Sequence, residues 1–159
     1  MASVVRDARA VARYRAKLLL VPGSACVWWV GAVSAKGHGR FWLGEQADGR
    51  DAAIIAHRFG YALAYGADRM LAAPVLAHSC DNPLCQNPDH LAAVTNAENK
   101  AQWAARHRTP GAVLRDMRGA RGRSLAIRSA LKSGGDLAAI NAAGMRPVDA
   151  GQIPMFYVD

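Results

Sequence analysis

The chain has 159 residues, of which 52% are hydrophobic and 20% are charged, a composition typical of a globular protein. This length supports one domain with a real core, or a small core plus an extension, and argues against two full domains. The 20 lysines and arginines outnumber the 12 acidic residues and give a net charge of +8, which favours a polyanionic partner, most simply nucleic acid.

The start of the chain is similar to a secretory signal, because a basic segment precedes the mostly apolar residues 18–35. The basic segment is long and contains Asp7, however, and Pro22 interrupts the apolar run. No stretch approaches the roughly 20 apolar residues of a membrane span. We therefore expect an intracellular, cytoplasmic protein without membrane association, in which closely spaced cysteines hold metal more often than they form disulfides.

The first half of the chain predicts a helix, a hairpin and a second helix. Residues 5–20 have helical spacing and should form a helix that stops before Pro22. The aromatic and β-branched runs CVWWVGAV and RFWLG flank the turn-like AKGHG, which predicts a β-hairpin. The later part of residues 51–66 has helical spacing and ends on Gly66, a favourable residue at a helix C-terminus.

The second half predicts a strand, a loop, a short strand and a helix. Residues 75–78 and 91–94 have strand character on either side of a loop rich in Cys, Asn and Pro. Thr95 and Glu98 have the capping-box spacing, which predicts a helix over residues 96–107. Residues 124–145 predict two short helices, which form either a DNA-docking helix-turn-helix or, as their few base-reading side chains favour, helices that pack on the core.

The loop between the two strands has metal-ligand spacing. Cys80, Cys85 and His90 follow one another at intervals of five residues and supply two thiolates and an imidazole, which suit tetrahedral zinc. A structural zinc site needs four ligands, and the remaining cysteine is Cys26. These residues could instead be buried cysteines and a capping histidine, but two Asn-Pro pairs in the loop favour an irregular ligand-bearing segment.

A second pair of residues has catalytic character. His78 ends the first strand, where alternation points it away from the zinc ligands, and Asn99 lies on the first turn of the next helix. An imidazole can deprotonate a water, and an amide oxygen can hold a hard cation such as Mg²⁺, which takes its other ligands from water and phosphate. Alone, the pair would more simply be a surface histidine and a cap amide, but the loop between them favours the catalytic interpretation.

Basic residues concentrate in residues 106–123, which contain six arginines and one aspartate. Such a run is either a solvated linker or a phosphate-binding segment, and a second basic cluster at residues 6–17 favours the phosphate backbone of DNA. The predicted phosphate contacts are Arg106, Arg108, Arg115, Arg118, Arg121 and Arg123.

The combined pattern His78-x-Cys80-x4-Cys85-x-Asn87-Pro88-x-His90-Leu91-x7-Asn99 resembles the HNH, or ββα-metal, nucleases, and most of all the His-Cys box homing endonucleases. The likeness covers residues 26–103. It implies that His78 is the general base, that Asn99 is the Mg²⁺ ligand, and that a structural zinc is held by Cys26, Cys80, Cys85 and His90.

The resemblance extends to residues upstream of the metal-ligand loop. An arginine on an upstream strand of these nucleases contacts the scissile phosphate, and Arg40 in GHGRFW occupies the matching place. The pair His57-Arg58 matches a His-Arg pair of the family, whose role the resemblance leaves open.

The implied fold is α+β: a ββα-metal (His-Me finger) nuclease core with an N-terminal helix, an aromatic β-hairpin and a C-terminal helical extension. The zinc-stabilised nuclease domain should cover residues 1–105, and residues 106–159 should be a basic linker, two short helices and an apolar tail. The sequence departs from the family twice. Ala77 replaces an aspartate of many HNH enzymes, so Asn99 must be the main Mg²⁺ anchor, and no cysteine follows Cys85, so we expect one zinc per chain.

The expected function is a Mg²⁺-dependent endonuclease that hydrolyses phosphodiester bonds of double-stranded DNA in homing or restriction. One active site cuts one strand, so a double-strand cutter would most economically be a homodimer. The apolar residues 147–157 are either a dimer element, as the resemblance supports, or a tail packed on its own domain. Two alternatives are a zinc-stabilised DNA-binding module without cleavage and a weakly specific nickase.

Overall fold

The computed structural model describes residues 5–45 and 51–149, which form a mixed α+β fold with small antiparallel sheets. Within these ranges no helix is both long and apolar enough to span a bilayer. The elements in chain order are α1 (Ala8–Arg15), β1 (Leu18–Leu20), β2 (Val27–Trp29), β3 (Ala32–Val33), β4 (Gly39–Glu45), β5 (Asp51–Ile55), α2 (Ala56–Tyr65), α3 (Ala67–Ala72), β6 (Val75–His78), β7 (Leu91–Val94), α4 (Asn96–His107), α5 (Gly119–Ser133) and α6 (Leu137–Ala142).

The N-terminal helix is shorter than predicted. The Asp7 carboxylate accepts a hydrogen bond from the Arg9 N–H at 2.9 Å and so caps the start of α1. The prediction of one helix over residues 5–20 is wrong in its last part, where β1 pairs antiparallel with β2. This pairing satisfies the backbone groups of the leucine run with a partner that is distant in sequence, which helical spacing alone does not reveal.

The predicted hairpin is confirmed only in part. Strands β3 and β4 pair around the AKGHG turn, and β4 also pairs with β5 to give a three-stranded sheet. The residues of β2 belong to the other sheet, with β1. At the turn, Gly37 has φ +85°, and a Cβ there would lie 2.6 Å from the Ala120 carbonyl oxygen. The hairpin turn therefore rests directly on α5, and only glycine permits this approach.

One aromatic core joins the N-terminal elements to the C-terminal helices. The fully buried rings of Trp29 and Phe41 meet edge to face at 6.1 Å between centroids, and Phe59 of α2 lies 4.6 Å from Phe41. Ile127 and Leu131 of α5 belong to the same buried cluster. The prediction that the C-terminal helices pack on the core is confirmed, and α5 begins earlier than expected, inside the arginine-rich segment.

The strand, loop, strand and helix predicted for residues 75–107 are confirmed. Strands β6 and β7 pair antiparallel, with His78 opposite Leu91. At the start of α4 both capping-box hydrogen bonds form, since the Glu98 N–H donates to Thr95 Oγ1 at 3.2 Å and the Thr95 N–H donates to Glu98 Oε2 at 2.7 Å. The predicted end of α2 at Gly66 is also confirmed. Most of the predicted apolar tail lies outside the described residues.

Candidate functional site

The loop between β6 and β7 is held against β2 by backbone hydrogen bonds. The Trp29 N–H donates to the Leu84 carbonyl at 2.9 Å, and the Gln86 N–H donates to the Val27 carbonyl at 2.6 Å. Cys85 lies between the two bonded loop residues, and Cys26 directly precedes β2. This pairing is what brings together cysteines that are far apart in sequence.

The four predicted zinc ligands converge. The ligand atoms of Cys26, Cys80, Cys85 and His90 all lie within 4.8 Å of one another. His90 Nδ1 is 3.4 Å from Cys85 Sγ and 3.8 Å from Cys26 Sγ. A tetrahedral zinc with bonds of about 2.1–2.3 Å needs ligand atoms roughly 3.5–3.8 Å apart. The donor set and its spacing therefore fit a metal such as zinc.

Neighbouring groups support negative charge on the sulfurs. Asn82 donates a side-chain hydrogen bond to Cys26 Sγ at 3.5 Å, and the Asn87 N–H donates to Cys85 Sγ at 3.4 Å. Hydrogen bonds with the Cys26 and Cys85 thiols lower the pKa of Cys80, whereas hydrogen bonds with Cys26 and Cys80 raise the pKa of Cys85. Three adjacent thiols cannot all ionise without a cation, so metal binding here must release protons and strengthen as pH rises.

His78 is placed beside this cluster but is not part of it. Its Nε2 lies 3.0 Å from the Cys85 carbonyl oxygen. A carbonyl can only accept, so Nε2 carries the proton and Nδ1 of the neutral ring keeps the free lone pair. Burial lowers the pKa of His78, which is 9% exposed. The ring is therefore neutral at physiological pH, as a general base must be.

Two further histidines, His38 and His57, surround His78, and the sequence predicts no role for either. The ring of His57 is 4.6 Å from that of His78, and the ring of His38 stacks on His78 at 6.2 Å. Burial lowers the pKa of His57 well below its usual range and, with the nearby His78, brings that of His38 to about 4. All three rings are therefore neutral near pH 7, so they can pack closely without electrostatic repulsion between them.

The sequence contains one weak indication that some of these side chains lie near each other. The chain contains five histidines, and His38 lies two residues before Arg40, so both face the same side of an extended segment.

Arg58, which follows His57 in the matched His-Arg pair, has a structural role. Its Nη2 donates to the Met70 carbonyl at 2.8 Å and to the Ala73 carbonyl at 3.3 Å, at the end of α3.

Helix α4 presents Asn99 towards the same loop. Arg106, two turns further along, donates through Nε to both Asp81 carboxylate oxygens at 3.0 and 2.8 Å and through Nη2 to the His78 carbonyl at 3.4 Å. Residues seven apart share a helix face, so Asn99 lies on the face that contacts the His78 segment. Within the described residues the half-buried Asn99 side chain makes no hydrogen bond, which leaves its amide oxygen available to a cation.

Arg40 lies on the exposed side of β4. It is paired in register with Ala32 of β3 and Ile55 of β5, and its neighbour Phe41 points the other way into the core. In the part of the chain that the structure describes, Arg40 has no carboxylate partner. Its guanidinium is therefore exposed on the sheet face that also carries His38.

The six arginines predicted to contact phosphate have three different environments in the structure. Arg106, Arg115 and Arg118 bind Asp81, Asp149 and Asp116 respectively, at N–O distances of 2.8, 2.8 and 2.6 Å.

Arg123 is 4% exposed, donates to Asn141 at 3.1 Å and lies 3.8 Å from Asp116, so its guanidinium is held within the fold. Arg108 and Arg121 are exposed and, among the described residues, form no ion pair.

Comparison with known proteins gives two related phage proteins. The chain is similar to Protein 2.8 of Escherichia phage T7, at 33% identity over 89 residues that cover 56% of each chain. It is also similar to Protein 7.7 of the same phage, at 32% identity over 83 residues that cover 52% of this chain and 58% of the relative. The chain thus matches little more than half the length of these relatives. No protein-family model and no solved structure matches it.

Proposed function

We propose that the protein is a Mg²⁺-dependent endonuclease of the ββα-metal type, similar to the His-Cys box enzymes, that hydrolyses phosphodiester bonds in double-stranded DNA. The observation that carries the proposal is the setting of His78. Its Nε2 proton is bound to the Cys85 carbonyl, so the Nδ1 lone pair is the basic site. The same Cys85 belongs to the four-residue metal cluster, so a metal bound there would also fix the orientation of the base.

The proposed reaction is an in-line hydrolysis. His78 Nδ1 takes a proton from a water, the water oxygen forms a bond to phosphorus, and the bond from phosphorus to the leaving sugar oxygen breaks. The leaving oxygen then takes a proton from solvent. Arg40 supports this step by its exposed charge on the neighbouring sheet face, where it can bind the phosphate whose negative charge increases during attack.

Asn99 is the residue that would hold Mg²⁺. It lies on the same helix face as Arg106, which contacts the His78 carbonyl. With Ala77 in place of an acidic residue, the chain supplies a weak protein site that DNA phosphates must complete. When bound, the ion supplies positive charge for the phosphate and leaving oxygens. The four-residue cluster fits zinc in a structural role, because all four ligand positions come from protein and none remains for substrate.

The proposed partner is duplex DNA bound by a homodimer. One His78 site can cut one strand, so two copies related by a two-fold axis would cut both strands at a near-palindromic site. The net charge of +8 and the exposed Arg108 and Arg121 support phosphate contacts that do not depend on sequence.

Replacing Asn99 tests the Mg²⁺ assignment. We expect Asn99→Ala to raise the Mg²⁺ concentration for half-maximal cleavage by roughly 10–100-fold, the range typical for weakening a metal site, with part of the rate recovered at high Mg²⁺. The helix remains capped because Thr95 and Glu98 are unchanged. The matched control is Asn96→Ala, an exposed amide on the same helix turn, which should leave the Mg²⁺ dependence as in the parent. Equal Mg²⁺ curves for the two variants would remove Asn99 from the proposed site.

A further inference from the structure

A cleft between the hairpin and α5 is lined by four basic side chains. It is bounded by residues 30–33 on one side and by α5 on the other, and within the described residues no acidic side chain contributes to its walls. The basic residues that line it are Lys17, Arg121, Arg128 and Lys132. Only Arg121 belongs to the arginine-rich segment, residues 106–123.

Helix α5 presents these cations as a stripe. Arg121, Arg128 and Lys132 lie at intervals of seven and four residues, which places them on one helix face. The adjoining face is buried through Ser124, Ile127 and Leu131. Because a helix rises about 1.5 Å per residue, the stripe extends over roughly 16 Å, about the length that five phosphates of one DNA strand occupy along the duplex axis.

Lys17 completes the cleft from the opposite wall. Its carbonyl accepts a hydrogen bond from the Val30 N–H at 2.9 Å, which ties it to the strand segment. A Cβ at Gly31 would lie 2.9 Å from Lys17 Cδ, so the lysine stem lies across this glycine. In the part of the chain that the structure describes, none of the four cations forms an ion pair, unlike the arginines bound to Asp81, Asp116 and Asp149.

The cleft opens on the sheet face that carries Arg40. Ala32 lines the cleft and is the register partner of Arg40, and directly opposed residues in an antiparallel pair project to the same face. Neighbouring strands are only about 4.8 Å apart. A linear polyanion that lies along the cleft can therefore reach Arg40 and the adjoining His38 without crossing the sheet.

We infer that this basic cleft is a binding site for the phosphate backbone of duplex DNA beside the cleavage centre. The charge and the stripe spacing identify a linear polyanion, and the choice of duplex DNA rests on the proposed function. Cations that contact only the phosphates do not distinguish one base from another. The cleft should therefore contribute binding affinity on DNA of any sequence.

The test is the salt dependence of binding in the absence of divalent metal, so that no cleavage occurs. A double variant, Arg128→Gln with Lys132→Gln, is titrated against a mixed-sequence 30-base-pair duplex by fluorescence anisotropy over a range of KCl concentrations. If both cations contact phosphate, the slope of log K against log salt should fall in magnitude by about 1.8, since each contact contributes about 0.9. Adding Lys17→Gln should remove about 0.9 more.

The matched control is Arg69→Gln with Arg146→Gln, which removes the same charge from exposed positions outside the cleft and outside both basic clusters of the sequence. It should change the slope by much less than the cleft variant. An unchanged slope in the cleft variant, or an equal change in both variants, would overturn the inference. Cleavage is assayed separately with Mg²⁺. If the cleft variant changes the salt dependence but the parent does not cleave DNA, only the proposed nuclease activity is rejected. If the parent cleaves DNA but the cleft variant leaves the salt dependence unaltered, only the cleft is rejected as a DNA-binding site.

Discussion

His78→Ala is expected to lower the DNA cleavage rate by roughly 10²–10⁴, the range usual for the loss of a general base. The protein should still bind DNA and keep its zinc, because His78 is outside the four-ligand cluster. Unlike Asn99→Ala, it should not recover at high Mg²⁺. The measurement is a single-turnover cleavage rate at saturating protein, with zinc content and DNA affinity determined on the same preparation.

Two companion variants separate catalysis from packing. His78→Gln can retain a donor for the Cys85 carbonyl but is not a base, so its rate should fall as far as that of His78→Ala. His38→Ala removes a neighbouring ring at 6.2 Å while leaving the base, so its rate should fall by less than about 10-fold. A His78→Ala protein that cuts DNA at nearly the parent rate would instead favour a zinc-stabilised DNA-binding module, or another cleavage centre.

Loss of a zinc ligand should have the largest effect on stability. The four ligands connect the residue before β2 with the irregular loop between β6 and β7, so we expect zinc binding to be part of the folding free energy. Cys85→Ser should yield insoluble or loosened protein without stoichiometric metal. The parent should contain one zinc per chain, and a strong chelator should lower its melting temperature until zinc is restored.

Cys85 is fully buried, so its replacement could also lower stability by disturbing the packing of the core. Treatment of the parent protein with chelator removes the metal without changing the core, and so separates the two effects. The melting temperature of any soluble Cys85→Ser protein should no longer respond to chelator or added zinc. Folded, active parent protein that contains no zinc by elemental analysis would contradict the structural zinc assignment.

Local sequence signals predicted the centre of this fold well. The capping box placed the start of α4, and the turn-forming Asn-Pro pairs together with ligand spacing identified the loop, because these features depend on residues a few positions apart. Cys26 could be assigned as the fourth ligand by counting, since the chain has three cysteines. The structure confirms that these residues converge.

Features that depend on long-range contacts were missed or misplaced. The leucines of β1 have helical spacing but pair with β2, and the arginine-rich run looked like a free basic segment although Asp81 and Asp149 neutralise part of it from outside. The convergence of His38 and His57 on His78 likewise depends on how three separate elements pack. Neither periodicity nor local charge encodes such partners, so only the tertiary arrangement identifies them.

The most direct test of the central claim is incubation of zinc-loaded protein with supercoiled plasmid DNA of mixed sequence, with and without Mg²⁺. We expect Mg²⁺-dependent conversion of the plasmid to discrete linear fragments, as a homodimer with two His78 centres would produce. Accumulation of nicked circles alone would contradict double-strand cleavage and favour a nickase. Plasmid that stays supercoiled at protein concentrations that saturate it would contradict the nuclease assignment itself.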